Sequence, residues 1–227
     1  MNAKQLFGMA VTVCLASATF SVQAGSKDAK EAKKLDAKTT EIIKRDFRDK
    51  GIAKADRVNQ DELQAACSKY LDVPPDALKA RLEAEQAKEI KWPADGKYMG
   101  DWKAGEKLAQ SGRGMTWSDK PEDTPGGNCY NCHRLSAKEI AYGTIGPSLL
   151  GYGKKRGTKE EVQRSVYGHI YNAKAYNACA NMPRFGHMGI LSEAQIKDLV
   201  ALLLDPESPV NPKDASAAPK EAAVTAK

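Results

Sequence analysis

Cys129, Cys132 and His133 stand in the run Cys129-Tyr130-Asn131-Cys132-His133. Two thiols three residues apart can reach the two vinyl groups on one edge of a porphyrin. A histidine next to the second thiol then falls under the iron and offers it an imidazole nitrogen. The spacing is that of covalent c-type haem attachment. It makes Cys129 and Cys132 the thioether sites of one haem c and His133 an iron ligand. Two other chemistries use a Cys-x-x-Cys pair. A thioredoxin-type redox pair needs a strand–helix context that the neighbouring residues lack. A zinc site needs about four ligands, and no second pair of matching spacing is present.

A haem-ligating histidine gives its other ring N–H to an outer acceptor. The carbonyl of Pro147, in Thr144-Ile145-Gly146-Pro147, is the candidate, besides any role of Pro147 in stiffening the loop. For the opposite face of the iron the sequence favours Met182, which directly precedes Pro183 in an irregular stretch. Proline biases the residue before it toward extended backbone, which suits a ligand presented from a loop. Imidazole-plus-thioether ligation is a common cytochrome solution. The competing role for a methionine is core filler, and His187 and Met188 are the alternative ligands, whereas His169 falls within a predicted helix and reads as a surface or packed residue. His/Met ligation raises the reduction potential and closes both axial positions. It therefore selects outer-sphere electron transfer over substrate binding at iron. Cys67 and Cys179 remain. In an oxidising compartment two such thiols invite a disulfide. The other reading is two separate buried thiols, and spacing does not choose between them.

The N-terminus sets the compartment. Lys4, the largely apolar stretch Leu6 to Phe20, and Val22-Gln23-Ala24 form the three parts of a secretory signal peptide cut after Ala24. The apolar run is too short and interrupted for a comfortable membrane span. Cys14 follows the bulky Val13, so it reads as part of the removed segment and not as a lipid-attachment site. These features predict an exported, soluble protein without stable membrane insertion after cleavage. Cleavage removes Lys4 and no acid, so the formal charge of +6 for all 227 residues falls to +5. Acids and bases alternate along the chain, which argues against nucleic-acid binding. A mild basic bias suits docking to an acidic partner.

The elements that must position these residues are helices and loops. No segment alternates as a strand does, so the chain is expected to be all-α. Leu35, Ile42, Ile43 and Phe47 recur at near-helical spacing, predicting an amphipathic helix that ends at Gly51. Asn59, with Glu62 three residues on, predicts the start of a second helix. Pro74-Pro75 break the chain before a third, Asp76 to Ile90, and Trp92-Pro93-Ala94-Asp95-Gly96 reads as a linker. Asp101 caps a short helix through Gln110, whose Gly105 admits close approach of another helix. A further helix spans Lys159 to Asn172. The last, Ser192 to Leu204, opens on a Ser192/Gln195 capping box and carries Ile196, Leu199, Val200 and Leu203 as a wide apolar stripe. The helix around Gly105 is expected to cross it. The organisation is thus a signal peptide over 1–24, a helical extension over 25–95, a haem domain over 96–211 and a disordered Ala/Pro/Lys/Glu tail over 212–227.

Three stretches carry a resemblance. They are Gly127 through His133 with Tyr142 to Leu149, Tyr176-Asn177-Ala178-Cys179-Ala180-Asn181-Met182-Pro183-Arg184-Phe185-Gly186-His187, and Leu199 to Asn211. Together they resemble the SoxX cytochromes of sulfur oxidation, over roughly Gly96 to Asn211. The resemblance implies a class I cytochrome c fold. It also implies a location in the periplasm and pairing there with a SoxA-type haem subunit in a SoxAX complex, an L-cysteine S-thiosulfotransferase that oxidatively joins thiosulfate to a cysteine of the SoxYZ carrier protein. The catalytic haem is expected on SoxA, so this chain would have no catalytic residue of its own. Its haem would pass electrons to a small acceptor cytochrome. Carried over, Cys129 and Cys132 are the thioether sites, His133 the proximal ligand and Met182 the distal one. The alternatives are a free soluble monohaem carrier of another respiratory chain, or a sensor or peroxidase with open iron. The Met-Pro loop weighs against open iron, and the long extension weighs against a free shuttle.

Overall fold

The computed structural model describes residues 25–213. The predicted signal peptide and most of the predicted tail lie outside them. Among the described residues the structure is helical: α1 Gly25–Asp46, α2 Glu62–Lys69, α3 Asp76–Lys88, α4 Trp102–Gln110, α5 Tyr152–Arg156, α6 Glu160–Tyr171 and α7 Glu193–Leu204. No strand occurs among them, so the all-α expectation holds. The chain divides into two compact units between Phe47 and Arg48.

In the first unit, α1 ends at Asp46 rather than running on to Gly51. Its apolar stripe is not covered, for Leu35, Ile42 and Phe47 are all exposed. Gly51 belongs to the second unit, where its positive φ of 55° and its tight approach to the Trp117 carbonyl admit no side chain. Lys50 Nζ lies 3.5 Å above the Trp117 ring, and Arg57 Nη1 donates to the Met115 carbonyl at 2.6 Å. These contacts bind the segment after α1 to the loop that leads into the haem motif.

The second unit is built on α7. Ser192 and Gln195 form the capping box, and every residue from Leu199 to Leu204 is buried. Such a helix must have neighbours on several sides. α4 crosses it where Gly105 would otherwise place a Cβ 2.2 Å from the Asp198 carbonyl oxygen. The crossing is stitched by Gly100 N–H to the Lys197 carbonyl at 3.0 Å and by Asp101 N–H to Asp198 Oδ1 at 2.8 Å. Asn211, almost wholly buried, closes the C-terminal end by donating to the Leu203 and Asp205 carbonyls at 3.0 and 2.9 Å, satisfying carbonyls that a helix end leaves free.

The predicted linker is a packed segment. Trp92 and Tyr98 sit against Tyr167 of α6, with ring centroids 6.0 and 5.6 Å from it, and Arg164 covers Trp92 at 3.8 Å. Aromatic pairs of this kind contribute roughly 0.5–1.5 kcal/mol each beyond their burial. α2 starts two residues later than Asn59 predicts. Asp61 is its N-cap, and its side chain forms the capping box with Gln64. α2 and α3 enclose a second, smaller core of Leu63, Cys67, Leu82 and Ala178. The turn between them passes through Leu71 and Asp72 at φ of 49° and 64°.

Candidate haem site

The attachment motif hangs from the end of α4. Gly127 N–H donates to the Leu108 carbonyl at 2.8 Å and Asn128 N–H to the Ser111 carbonyl at 2.9 Å. Asn128 takes a left-handed conformation, φ 48°, which asparagine tolerates better than most residues. That reversal starts a short 3-10 turn over Cys129–Asn131. His133 N–H closes it on the Cys129 carbonyl at 2.9 Å. One turn therefore carries both thiols and the imidazole. Neither thiol is in a disulfide.

The loop that follows is laid across this turn by three backbone bonds. Gly143 N–H donates to Tyr130, Gly146 N–H to Cys132 and Leu149 N–H to Arg134, each at 2.8 Å. Two consequences fall on His133. First, its Nδ1 lies 2.8 Å from the Pro147 carbonyl oxygen, as the sequence led us to expect. A carbonyl only accepts, so the proton resides on Nδ1 and the lone pair on Nε2 is left for a metal. Second, Gly146 lies flat against the ring. A Cβ there would stand 2.2 Å from His133 Cε1 and 2.5 Å from Nδ1. Glycine is required at this position by contact, not by backbone angle.

Cys129 is half-buried at the edge of the main core, and burial pushes its thiol up to about 12. A reactive thiolate or a zinc thiolate needs the opposite surroundings. Arg134, next to the imidazole, is buried with its Nε lacking a partner among the described residues. A ligand bearing carboxylates, as a haem bears its propionates, offers the acceptor that such a donor needs. The residues present thus fit a covalently bound haem. Cys129 and Cys132 would hold it and His133 Nε2 would ligate its iron.

Met182 packs against the same buried core as Cys129. It lines a cleft of about 300 Å³ together with Pro183, Met188 and Ile190 and with Gln64 of α2. Met188 is largely exposed. His187 lines a different cleft, with Asp61, Glu89 and Arg184, where burial and then the Arg184 charge lower its pKa. His169 is engaged elsewhere, stacked on Tyr176 at 3.7 Å. Met188, the alternative methionine, does not share the position of Met182 on the main core.

Cys67 and Cys179 form a disulfide, with Cα atoms 5.6 Å apart. Sequence reasoning missed what surrounds it. Arg184 has a side chain only 5% exposed, pairs with Asp61 Oδ2 at 2.5 Å and donates to Gln86 Oε1 at 3.0 Å. The signal for it was an arginine directly after Met-Pro in an otherwise weakly charged loop.

The cytochrome c family profile matches residues 103–205, which include the attachment turn, the 143–149 loop and Met182. A protein of Aquifex aeolicus (strain VF5) named "Uncharacterized lipoprotein" is 36% identical over 214 residues, covering 93% of this chain and all of that protein. The profile match over residues 103–205, with the haem-attachment turn inside it, makes this chain a c-type cytochrome, a haem protein of electron transfer.

Proposed function

We propose that this chain is the monohaem electron-transfer subunit of a thiosulfate-oxidising complex of the SoxAX type, with Cys129 and Cys132 as thioether sites and His133 and Met182 as axial ligands. The observation that carries the ligand assignment is the fixed imidazole: Nδ1–H held by the Pro147 carbonyl at 2.8 Å, with Gly146 against the ring. The assignment to sulfur oxidation rests on the resemblance of 176–187 and 199–211 to SoxX cytochromes. Bound there, a haem supplies a one-electron couple. The chain's own residues do the rest. Pro147 fixes the tautomer and strengthens His133 as a donor. Met182 would supply the second iron ligand, which would leave electron transfer as the available chemistry.

Replacing Met182 by Ala tests the ligand. The expected result is loss of the low-spin spectrum and ready carbon monoxide binding by the ferrous protein. Unchanged ligation removes Met182 from the site. Purification from the native host tests the complex. A SoxA-type haem protein should co-purify, and a lone monomer would return the reading to a free carrier. The same preparation tests the export route. A mature N-terminus at Gly25 supports a soluble periplasmic protein, whereas a lipid-modified Cys14 would make it a lipoprotein, the word used in the name of the Aquifex relative.

A further inference from the structure

The segment around Met182 is fastened on both sides to the same two helices. Three residues before it, Cys179 is bonded to Cys67 of α2. One residue earlier again, Ala178 is fully buried in the small core with Leu63 and Leu82, and its N–H donates to Glu83 Oε1 of α3 at 3.0 Å. Two residues after Met182, Arg184 reaches Asp61 at the head of α2 and Gln86 of α3. Gln86 in turn accepts from the buried Asn172 at 3.1 Å, where the loop leaves α6. Between these anchors Lys174 Nζ donates to the Ala180 carbonyl at 2.8 Å and stiffens the loop from within.

We propose that α2 and α3 form a clamp whose role is to position Met182 as an axial ligand, with Cys67, Asp61 and Gln86 as its positioning residues. This rests on the assignment of Met182 proposed above. The geometry selects this role over a general structural one. All the anchors converge on 172–184, and both flanks of the ligand are held while Met182 itself stays free of hydrogen bonding. A loop pinned at one end still swings, whereas one pinned at both ends presents its side chain in one place.

The test uses the full haem-loaded chain as wild type, as the double variant Cys67→Ser/Cys179→Ser, and as Asp61→Asn, which keeps the disulfide. The readouts are the near-infrared thioether-to-iron charge-transfer band on heating, the global melt by far-ultraviolet circular dichroism, and the carbon monoxide on-rate of the ferrous form. The clamp predicts that both variants lose the band well before they unfold, the double variant more so, and that its on-rate rises at least tenfold. If band and fold melt together in both variants and the on-rates match wild type, the clamp is refuted. Should the double variant fail to accumulate, Asp61→Asn decides on the same criteria. Met182→Ala separates the two layers of the argument. Loss of the band there, with no early loss in the clamp variants, refutes the clamp alone. An intact band in Met182→Ala refutes the ligand assignment and the clamp with it.

Discussion

Gly105→Ala tests the crossing on which the haem-bearing half is built, because two effects of opposite sign compete there. In a solvent-exposed helix, glycine to alanine stabilises by about 0.5–1 kcal/mol, since alanine loses less backbone freedom on folding. At this position the added methyl would lie 2.2 Å from the Asp198 carbonyl oxygen, 2.7 Å from its carbon and 3.1 Å from Leu202 Cβ. Carbon–oxygen contacts ordinarily close to about 3.3 Å, so the overlap is about 1 Å. It falls on backbone in the middle of α7, where no rotamer change relieves it. The helices must separate, and Leu108, Ala109, Leu199 and Leu202, all buried, lose contact as they do. Overpacking of this kind costs about 1–3 kcal/mol net. For a chain of this size each kcal/mol lowers the melting temperature by about 2–4 °C. The expected change is a fall of roughly 2–12 °C, read by circular dichroism on the haem-loaded protein. A melting temperature that rises, as helix propensity alone dictates, refutes the close crossing of α4 and α7.

Other perturbations probe the two faces of the site. Gly146→Ala places a methyl 2.2 Å from His133 Cε1, so it should displace the ring, break the bond to the Pro147 carbonyl, cost about 1–3 kcal/mol and shift the reduction potential. A variant with wild-type stability and potential would show that the ring does not lie against that glycine. The Asp61 carboxyl is pushed up by burial, but the Gln64 amide and the Arg184 guanidinium outweigh this and hold it below the usual carboxylate range. Its contribution is therefore full above the unfolded value of about 3.9 and is lost as pH falls through the lower folded value. Asp61→Asn should be less stable than wild type near neutrality, with the gap closing below pH of about 4. A gap that stays constant in acid would show that the carboxylate contributes nothing through its charge.

What the sequence made legible were features closed within a few residues. α7 is visible because Ser192, Gln195 and the apolar stripe lie on one continuous segment. The Pro147 acceptor is visible because His133 and Pro147 are joined by a short glycine-containing loop. The start of α2 shows where this fails. Asn59 and Asp61 are both good caps, and each has an acidic or amide residue three positions on. Local rules cannot rank them. Asp61 has in addition a bond to Arg184, 123 residues away. Glu83 is a similar case. It reads as an ordinary i,i+4 partner of Lys79, and that pair exists at 3.9 Å, but the same carboxylate also holds the Ala178 amide. The stripe on α1 fails differently. Periodicity identifies a helix, yet says nothing of what covers it, and Leu35, Ile42 and Phe47 are exposed.

This division between local and remote fastening runs through the haem site and says what each part of the chain is for. The side that carries His133 is assembled by backbone bonds between the attachment turn and the loop after it, and by two more from the start of that turn to the end of α4. Nothing from α2 or α3 takes part. The distal side is the reverse. Besides the bond from Lys174 within the loop, the bonds that fix 178–184 come from Cys67, Asp61, Glu83 and Gln86, all upstream of the region that matches the cytochrome c family. A fixed sixth ligand matters to an electron carrier because the same ligand must serve both oxidation states, and any movement between them adds to the barrier for transfer. A short loop with few anchors of its own meets that demand poorly. On the assignment of Met182 proposed above, that demand is met by two helices from outside the cytochrome segment, linked to the loop through a disulfide. On that same assignment, α2 and α3 belong to the ligand sphere of the haem rather than being an appendage to it.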